Sequence, residues 1–396
     1  MNVLVIAPYI PSRIRVRPFH LIGELAKRHE VHVIALRDAD ESRMPGLDEI
    51  AGAVRDLRIV PHSKLRGALQ SLAALGTPSP MCTAYCRSRR MKEVVQEVVS
   101  AHRFDVVHVE HLRAAHLAPW KSGLPIVFDS VDCLSRLFAQ MARSRGALGS
   151  RLVAAEEAWK LRRCEPRTLR RFDRVLVTSD SDREALIRLD PALEIDVVPN
   201  GVDIDYFAPQ GAERKPARLV FSGKMSYAPN AEAVLWFAEN VLPSLARRFS
   251  GVEFAIVGSN PPPSVAALER IPGVSVTGYV EDMRPYLDSA AIAVAPMRTA
   301  VGMQNKILEA MAMALPVVAT SAAAGTFGRD CPGILEANSD EEIVRIISRL
   351  IESPDEASEI GRQGRSEVAG RFSWARSAEL IESAYEKALR DRGGGS

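Results

Sequence analysis

The stretch APMRTAVGMQNKILEAMAMALPVVAT (residues 295–320) decides the fold. A β-branched run ends at Pro296, and a loop carrying Gly302 follows. From about Gln304 apolar residues recur at helical spacing until Pro316 opens another β-branched run. Strand, loop, helix and strand in this order form one repeat of a parallel sheet covered by helices. The small residues Ala310, Ala312 and Ala314 let the helix lie close to the sheet. Lys306 and Glu309, three residues apart, stand on neighbouring faces one turn from each other. Such a pair is ordinarily a surface ion pair contributing about a few tenths of a kcal/mol. At the mouth of a sheet and beside a glycine loop, it is read here as functional.

The same rhythm extends in both directions. Toward the N-terminus the expected strands are VLVIAP (3–8), VHVIAL (31–36), LRIVP (57–61), VVHVE (106–110), PIVFDS (125–130), RVLVTS (174–179) and IDVVP (195–199). A second series comprises LVFSG (219–223), EFAIVG (253–258), VSVTGYV (274–280), AIAVAP (291–296), PVVAT (316–320) and GILEA (333–337). Between them DYFAPQGAERKPAR (205–218), rich in Pro, Gly and charge, reads as a linker. The expected organisation is therefore an N-terminal α/β domain over 1–204, a linker over 205–218, and a C-terminal α/β domain over 219–373. A last helix over 374–392 is expected to pack back across the hinge. A chain of 396 residues also exceeds what one hydrophobic core usually serves.

Two doubly wound domains would bring strand ends and helix N-termini around one cleft, a setting suited to a diphosphate. The fold alone does not separate a glycosyltransferase from a sugar-nucleotide epimerase or a two-domain nicotinamide enzyme. Neither half has a G-x-G-x-x-G after its first strand; APYIPSRIRVRPFH (7–20) and SGKMSYAPNAE (222–232) stand there instead, which counts against dinucleotide binding. Arg13, Arg15 and Arg17 in the first of these are either a solvated basic loop or a wall facing phosphate or an acidic acceptor.

Composition narrows the class. The formal charge of +2 makes no case for a nucleic-acid partner, and the 47% hydrophobic and 25% charged residues are those of an ordinary globular protein. Five scattered cysteines lack zinc-site spacing and fit a reduced cytosolic setting. The opening apolar run reads as a buried strand rather than a signal sequence, and GGGS (393–396) as a flexible tail. No run approaches the roughly 18 apolar residues of a membrane span, so the expected location is cytoplasmic, with any membrane contact peripheral. From Arg136 to Arg174 eleven Lys or Arg oppose four acids, a basic flank that could bind nucleic acid, though no recognition motif accompanies it, or meet anionic lipid headgroups or a lipid diphosphate, or be merely solvated.

The 295–320 stretch resembles the signature of family 4 glycosyltransferases, retaining enzymes of the GT-B fold. HEVHVIAL (29–36), VVPNGVDIDYFAP (197–209), FSGKM (221–225) and VTGYVEDMRPYLDSAAIAVAP (276–296) agree with it in order. YCRSRR (85–90), GKMSYAPNAEAVLWFAENVLP (223–243) and GMQNKILEAMAM (302–313) are most similar to a bacterial subgroup of exopolysaccharide loci. The resemblance implies two Rossmann-like domains, the first for acceptor and the second for nucleotide sugar. It implies transfer with retention to a glycan or lipid-linked saccharide, without metal or cofactor and with no nucleic-acid partner.

Carried over by position, the resemblance assigns Glu309 to the donor ribose and Gly302, Met303, Gln304 and Asn305 to the diphosphate or sugar. Lys224 would meet the phosphates, and the base would lie against Gly278, Tyr279 and Val280. Asn200 and Gly201 would form an interdomain turn, whether or not they touch ligand. Three departures stand out. Val301 replaces the first glutamate of the family pair. The usual second cation after Lys224 gives way to YAPN (227–230), leaving Lys306 for that role. The catalytic-region histidine aligns with Glu110, between His108 and His111, and His111 is taken as the catalytic candidate. Asp129 and Asp132 in FDSVDC (128–133) would contact acceptor or donor sugar, or cap a helix. An epimerase, or a donor-binding protein without catalysis, are the competing readings; an epimerase would need no acceptor.

Overall fold

The computed structural model describes residues 1–38, 44–143, 148–300 and 302–393. All thirteen expected strands form, within a few residues of the predicted bounds. The first seven are β1 (Asn2–Ala7), β2 (Glu30–Asp38), β3 (Asp56–His62), β4 (Val106–Glu110), β5 (Ile126–Val131), β6 (Arg174–Val177) and β7 (Ile195–Val197). They make one parallel sheet in the order β3-β2-β1-β4-β5-β6-β7. The other six are β8 (Lys215–Ser222), β9 (Glu253–Val257), β10 (Val274–Val276), β11 (Ala290–Ala295), β12 (Val317–Ala319) and β13 (Ile334–Glu336). Their parallel order is β10-β9-β8-β11-β12-β13.

Why the β-branched runs are apolar on every residue is visible in β1. Leu4 and Ile6 enter one core beneath the helix Arg89–Ala101, while Val3 and Val5 enter a second core on the opposite face. A strand buried on both sides cannot alternate polar with apolar residues. The second core is closed by the last helix, Trp374–Gly393, whose Trp374, Ala378, Ile381, Tyr385 and Ala388 recur at helical spacing and are all buried. Trp374 also stacks on His20 with ring centroids 5.0 Å apart.

The chain divides into two units, Met1–Pro199 with Trp374–Ser396, and Asn200–Ser373. The last helix thus belongs to the first unit. The expected linker over 205–218 differs from what is seen, because that stretch is part of the second unit. Asp288 accepts hydrogen bonds from the Gln210 and Ala212 amides at 3.0 and 2.9 Å, and Lys215 already begins β8. A Pro- and Gly-rich composition reports irregular backbone, and buried acceptors such as Asp288 can hold irregular backbone in place.

Among the described residues no helix is long and apolar enough to cross a membrane.

Candidate functional site

Each sheet reverses its strand order once, between β1 and β4 in the first unit and between β8 and β11 in the second. In open parallel sheets ligands bind outside the carboxyl ends of the strands at such a point. Of the residues expected from the sequence, Lys224 follows β8, the segment 302–309 follows β11, and Glu110 and His111 stand at the end of β4, beside these reversals. Residues 278–280 instead follow the edge strand β10, and Asp129 and Asp132 lie at the end of β5.

In the second unit β8 ends at Ser222, and Gly223 and Lys224 follow. Gly223 and Gly258, at the ends of adjacent strands, have φ of 149° and 151°, and a Cβ on Gly258 would stand 1.8 Å from the Gly223 carbonyl oxygen. Only glycine permits this approach. Across the reversal, β11 ends at Ala295, Gly302 takes φ 66°, and the helix Asn305–Ala312 begins with no side chain capping it. Its uncapped N–H groups and partial positive charge suit an anion. Its C-terminus is held by Arg365 on the Ala312 carbonyl and by Arg214, which donates to the Met313 and Ala314 carbonyls at 2.6 and 2.8 Å. Cations there complement the helix dipole.

Lys306 is half-buried and its ammonium is enclosed. Nζ donates to Asn230 Oδ1 at 2.5 Å and lies 4.2 Å from the Phe221 ring centroid, with Met297 Sδ at 3.6 Å. Asn230 in turn donates to the Lys224 carbonyl at 2.9 Å, so one buried amide fastens the Lys224 loop to Lys306. The YAPN turn, which in the sequence only marked a missing cation, supplies this clasp. Lys224 itself is exposed. Burial draws the Lys306 pKa down to about 7, against the opposing pull of Glu309.

Glu309 is half-buried one turn further on. Its carboxylate has no hydrogen-bond or ion-pair partner among the described residues, so the ion pair suggested by the spacing is not closed. Burial raises its pKa to about 7, opposed by Lys306. Met303 is buried beneath the loop, Gln304 turns back to the Gly302 carbonyl, and Asn305 Oδ1 accepts from Asn200 Nδ2 at 3.0 Å. Asn200 thus braces the helix start. Gly278, with φ 68°, Tyr279 and Val280 follow β10 at the same carboxyl edge, Tyr279 being 76% exposed. Val301 lies outside the described residues.

In the first unit the reversal brings Tyr9 and Glu110 together. Tyr9 donates to Glu110 Oε1 at 2.6 Å, while Glu110 Oε2 is buried without a partner. Burial pushes the Glu110 carboxyl up to about 8. His111 follows in the left-handed region at φ 62°, and Val131, at the end of neighbouring β5, does so at 66°. Both are uncommon conformations for side-chain-bearing residues, and for a β-branched valine a marked one; such backbone tends to mark functional sites. His111 Nδ1 accepts the Arg113 amide at 3.2 Å, which leaves the ring proton on Nε2. Burial, with Arg113 and Arg15 nearby, lowers its pKa to about 3, so the ring is neutral at physiological pH. His108, by contrast, is a core residue bonded through Nδ1 to the Tyr385 hydroxyl at 2.9 Å.

The three arginines of the first loop separate. Arg17 is buried against Asp129, with Nε to Oδ2 at 2.8 Å, and also donates to the Val198 carbonyl at 3.0 Å. Arg13 pairs with Glu49. Arg15 is exposed and sits over the Tyr9 ring, 4.7 Å from its centroid. Asp129 is therefore held by Arg17, and also accepts the Val131 amide at 3.0 Å. Asp132 is half-buried and accepts from the Thr178 hydroxyl; burial, then Asp182, raises its pKa to about 7.

These two halves agree with the comparisons. Residues 14–201 match the glycosyl transferase 4-like domain, and residues 216–353 match the glycosyl transferases group 1 domain. The chain belongs to the group 1 glycosyltransferases and has their GT-B fold of two parallel-sheet α/β domains. It is 26% identical over 211 residues to the MMP alpha-(1->4)-mannosyltransferase of Mycolicibacterium hassiacum, covering 50% of this chain and 49% of that one. The chain therefore spans about half the length of that relative. It is also 26% identical, across 60% of this chain and 69% of the other, to the GDP-mannose-dependent alpha-(1-6)-phosphatidylinositol monomannoside mannosyltransferase of Mycobacterium tuberculosis. Among solved structures, Anabaena HepE in complex with UDP is similar at a TM-score of 0.65 and 15% identity, over 98% of this chain and 100% of that one. At this identity the likeness is one of fold.

Proposed function

We propose that this protein transfers a sugar from a nucleoside-diphosphate sugar to a glycan or lipid-linked saccharide acceptor in bacterial polysaccharide synthesis. The observation that carries this reading is the unpartnered Glu309 carboxylate one turn after the enclosed Lys306, at the strand-order reversal of the second unit. An ionised carboxylate accepts two hydrogen bonds at once and so suits the vicinal hydroxyls of a ribose. Lys306, Lys224 and the uncapped helix start meet the diphosphate, whose charge grows as it leaves. The UDP complex of the HepE structure and the GDP-mannose dependence of the mycobacterial relative support a nucleotide donor.

Retention of anomeric configuration belongs to the same reading. So does a role for neutral His111 as a hydrogen-bond donor through Nε2 on the acceptor side. The same reading has the protein work in the cytoplasm, with any membrane contact peripheral and at the inner face of the plasma membrane. Release of nucleoside diphosphate from a panel of sugar nucleotides, with and without acceptor extract, tests the proposal. Conversion of a sugar nucleotide to its epimer without acceptor, with no nucleoside diphosphate released, would instead show an epimerase. Nucleotide binding with no turnover in any mixture would show a binding protein.

Glu309→Gln is expected to weaken donor binding by about 1.5–3 kcal/mol, the range for a charge-assisted hydrogen bond. Because the carboxylate has no hydrogen-bond or ion-pair partner among the described residues, the melting temperature should not fall. Calorimetric titration with nucleoside diphosphate reads the affinity and a thermal melt the stability, and unchanged affinity would remove Glu309 from the site. Since two lysines and backbone amides meet the phosphates in this reading, activity should survive EDTA. Activity lost in chelator and restored by magnesium or manganese would contradict this.

A further inference from the structure

The helix Lys64–Ala73 carries Leu65, Leu69 and Leu72 at helical spacing, a pattern that ordinarily faces a core. Here these leucines are 72%, 58% and 62% exposed. Leu148 and Leu152 on the long helix Leu148–Leu169 are 70% and 63% exposed. Of the thirteen exposed large apolar side chains among the described residues, nine fall between Leu65 and Trp159 in the first unit. Eight of these nine lie on the helices Lys64–Ala73, Leu134–Arg143 and Leu148–Leu169, which line one cavity through Ser71, Phe138 and Val153, and apolar exposure gathered in this way marks an interaction surface.

The charges around them are one-sided. The acids of the helices Lys64–Ala73, Leu134–Arg143 and Leu148–Leu169 are Glu156, Glu157 and Glu165; the last two are buried, and Glu156, with its side chain 34% exposed, is paired with Lys160. Glu157 accepts the Met81 and Cys82 amides, Glu165 the Leu134 and Ser135 amides, and Glu156 holds Lys160 and the Gly76 amide. Arg66, Arg151, Arg162 and Arg163 face outward. The surface offers hydrocarbon and positive charge, and the half-buried carboxylate on these helices, Glu156, is paired with Lys160.

Beneath it lies a cavity of about 430 Å³ lined by Met81, Tyr85, Phe138, Val153, Glu157 and Arg113. This is a size that takes a small ligand. Glu157 is spent on backbone amides. Arg113 Nε is buried without a hydrogen-bond partner, and its guanidinium forms no ion pair among the described residues. A guanidinium with no ion pair among the described residues, in a cavity whose one carboxylate is bonded to backbone amides, suits an anion. Arg113 lies on the same short helix as His111, His111–Ala114.

We propose that this cavity binds the phosphate-bearing end of a long-chain lipid. Arg113 meets the phosphate, the apolar walls take the start of the chain, and the leucine-rich basic rim rests on an anionic lipid surface. The inference deepens the acceptor part of the function proposed above and rests on that reading for its purpose.

Calorimetry on the full chain tests it with three probes: decyl phosphate below its micellar concentration, decanol, and inorganic phosphate. Decyl phosphate should bind at least tenfold more tightly than either of the others. Arg113→Gln should weaken it at least tenfold while leaving decanol unchanged, and Val153→Trp, which fills the cavity, should weaken it at least tenfold. Binding of UDP and GDP should be the same in both variants as in the unaltered protein. Equal binding of inorganic phosphate or of decanol overturns the proposal, as does a failure of either variant to lower decyl phosphate affinity. Should Arg113→Gln not fold, the three-probe comparison and Val153→Trp still decide. If the unaltered protein binds decyl phosphate as expected but neither UDP nor GDP, the donor reading of the second unit fails and the lipid site stands.

Discussion

Lys306→Met is expected to lower the catalytic rate by about tenfold to a thousandfold, the range seen when one preorganised donor to a developing anion is removed. Nζ is already held in place by Asn230 and by the Phe221 face, so it need not be ordered when the diphosphate departs. Negative charge on that diphosphate grows toward the transition state, and the rate should therefore fall more than the donor's Michaelis constant rises. Lys224→Met should act in the same sense.

The pH dependence has a definite sign. With a pKa of about 7, Lys306 loses its charge as pH rises through neutrality, so kcat/KM should fall on the alkaline side and that limb should vanish in Lys306→Met. On the acid side, protonation of Glu309, also near 7, should weaken the grip on ribose. Steady-state kinetics between pH 5 and about 9 would show both limbs. If Lys306→Met turns over normally but melts several degrees lower, Lys306 is structural. The phosphate contact must then be sought at Lys224.

The second large effect is on stability. Arg17→Ala should destabilise the protein by about 3–5 kcal/mol, because it strands the Asp129 carboxylate, 1% exposed, without its cation. It also removes the donor to the Val198 carbonyl at the end of the first unit's sheet. Arg17→Met combined with Asp129→Asn should recover part of the loss, since no uncompensated charge is then left inside. Urea denaturation of the single and double variants reads the difference. If Arg17→Ala unfolds at the same urea concentration as the unaltered protein while losing ligand affinity, the guanidinium is a ligand after all and its bond to Asp129 is incidental.

These two residues show how unevenly the site could be read beforehand. Lys306 and Glu309 were legible because their relation is local: three residues on one helix, next to a strand end, in a motif with a family resemblance. Arg17 looked equivalent to Arg13 and Arg15, and nothing local distinguishes them. Asp129, 112 positions away, makes the difference. Asn230 was likewise visible only as part of a turn where a cation was expected. Its two bonds, to the Lys224 carbonyl and to Lys306, span 6 and 76 residues.

By itself the sequence determined the thirteen strands, the parallel doubly wound class and the family, because β-branched runs, helical periods and motif spacings are properties of neighbouring residues. Only the tertiary structure decided where the units divide, that the last helix closes the first unit's core, and that the segment 205–218 is anchored rather than linking. It alone turned the leucines of Lys64–Ala73 outward and left Arg113 unpaired in its cavity. The reason is physical: an apolar period states that a helix has a greasy face, whereas what that face meets depends on contacts between residues distant in the chain, and these carry no local signal.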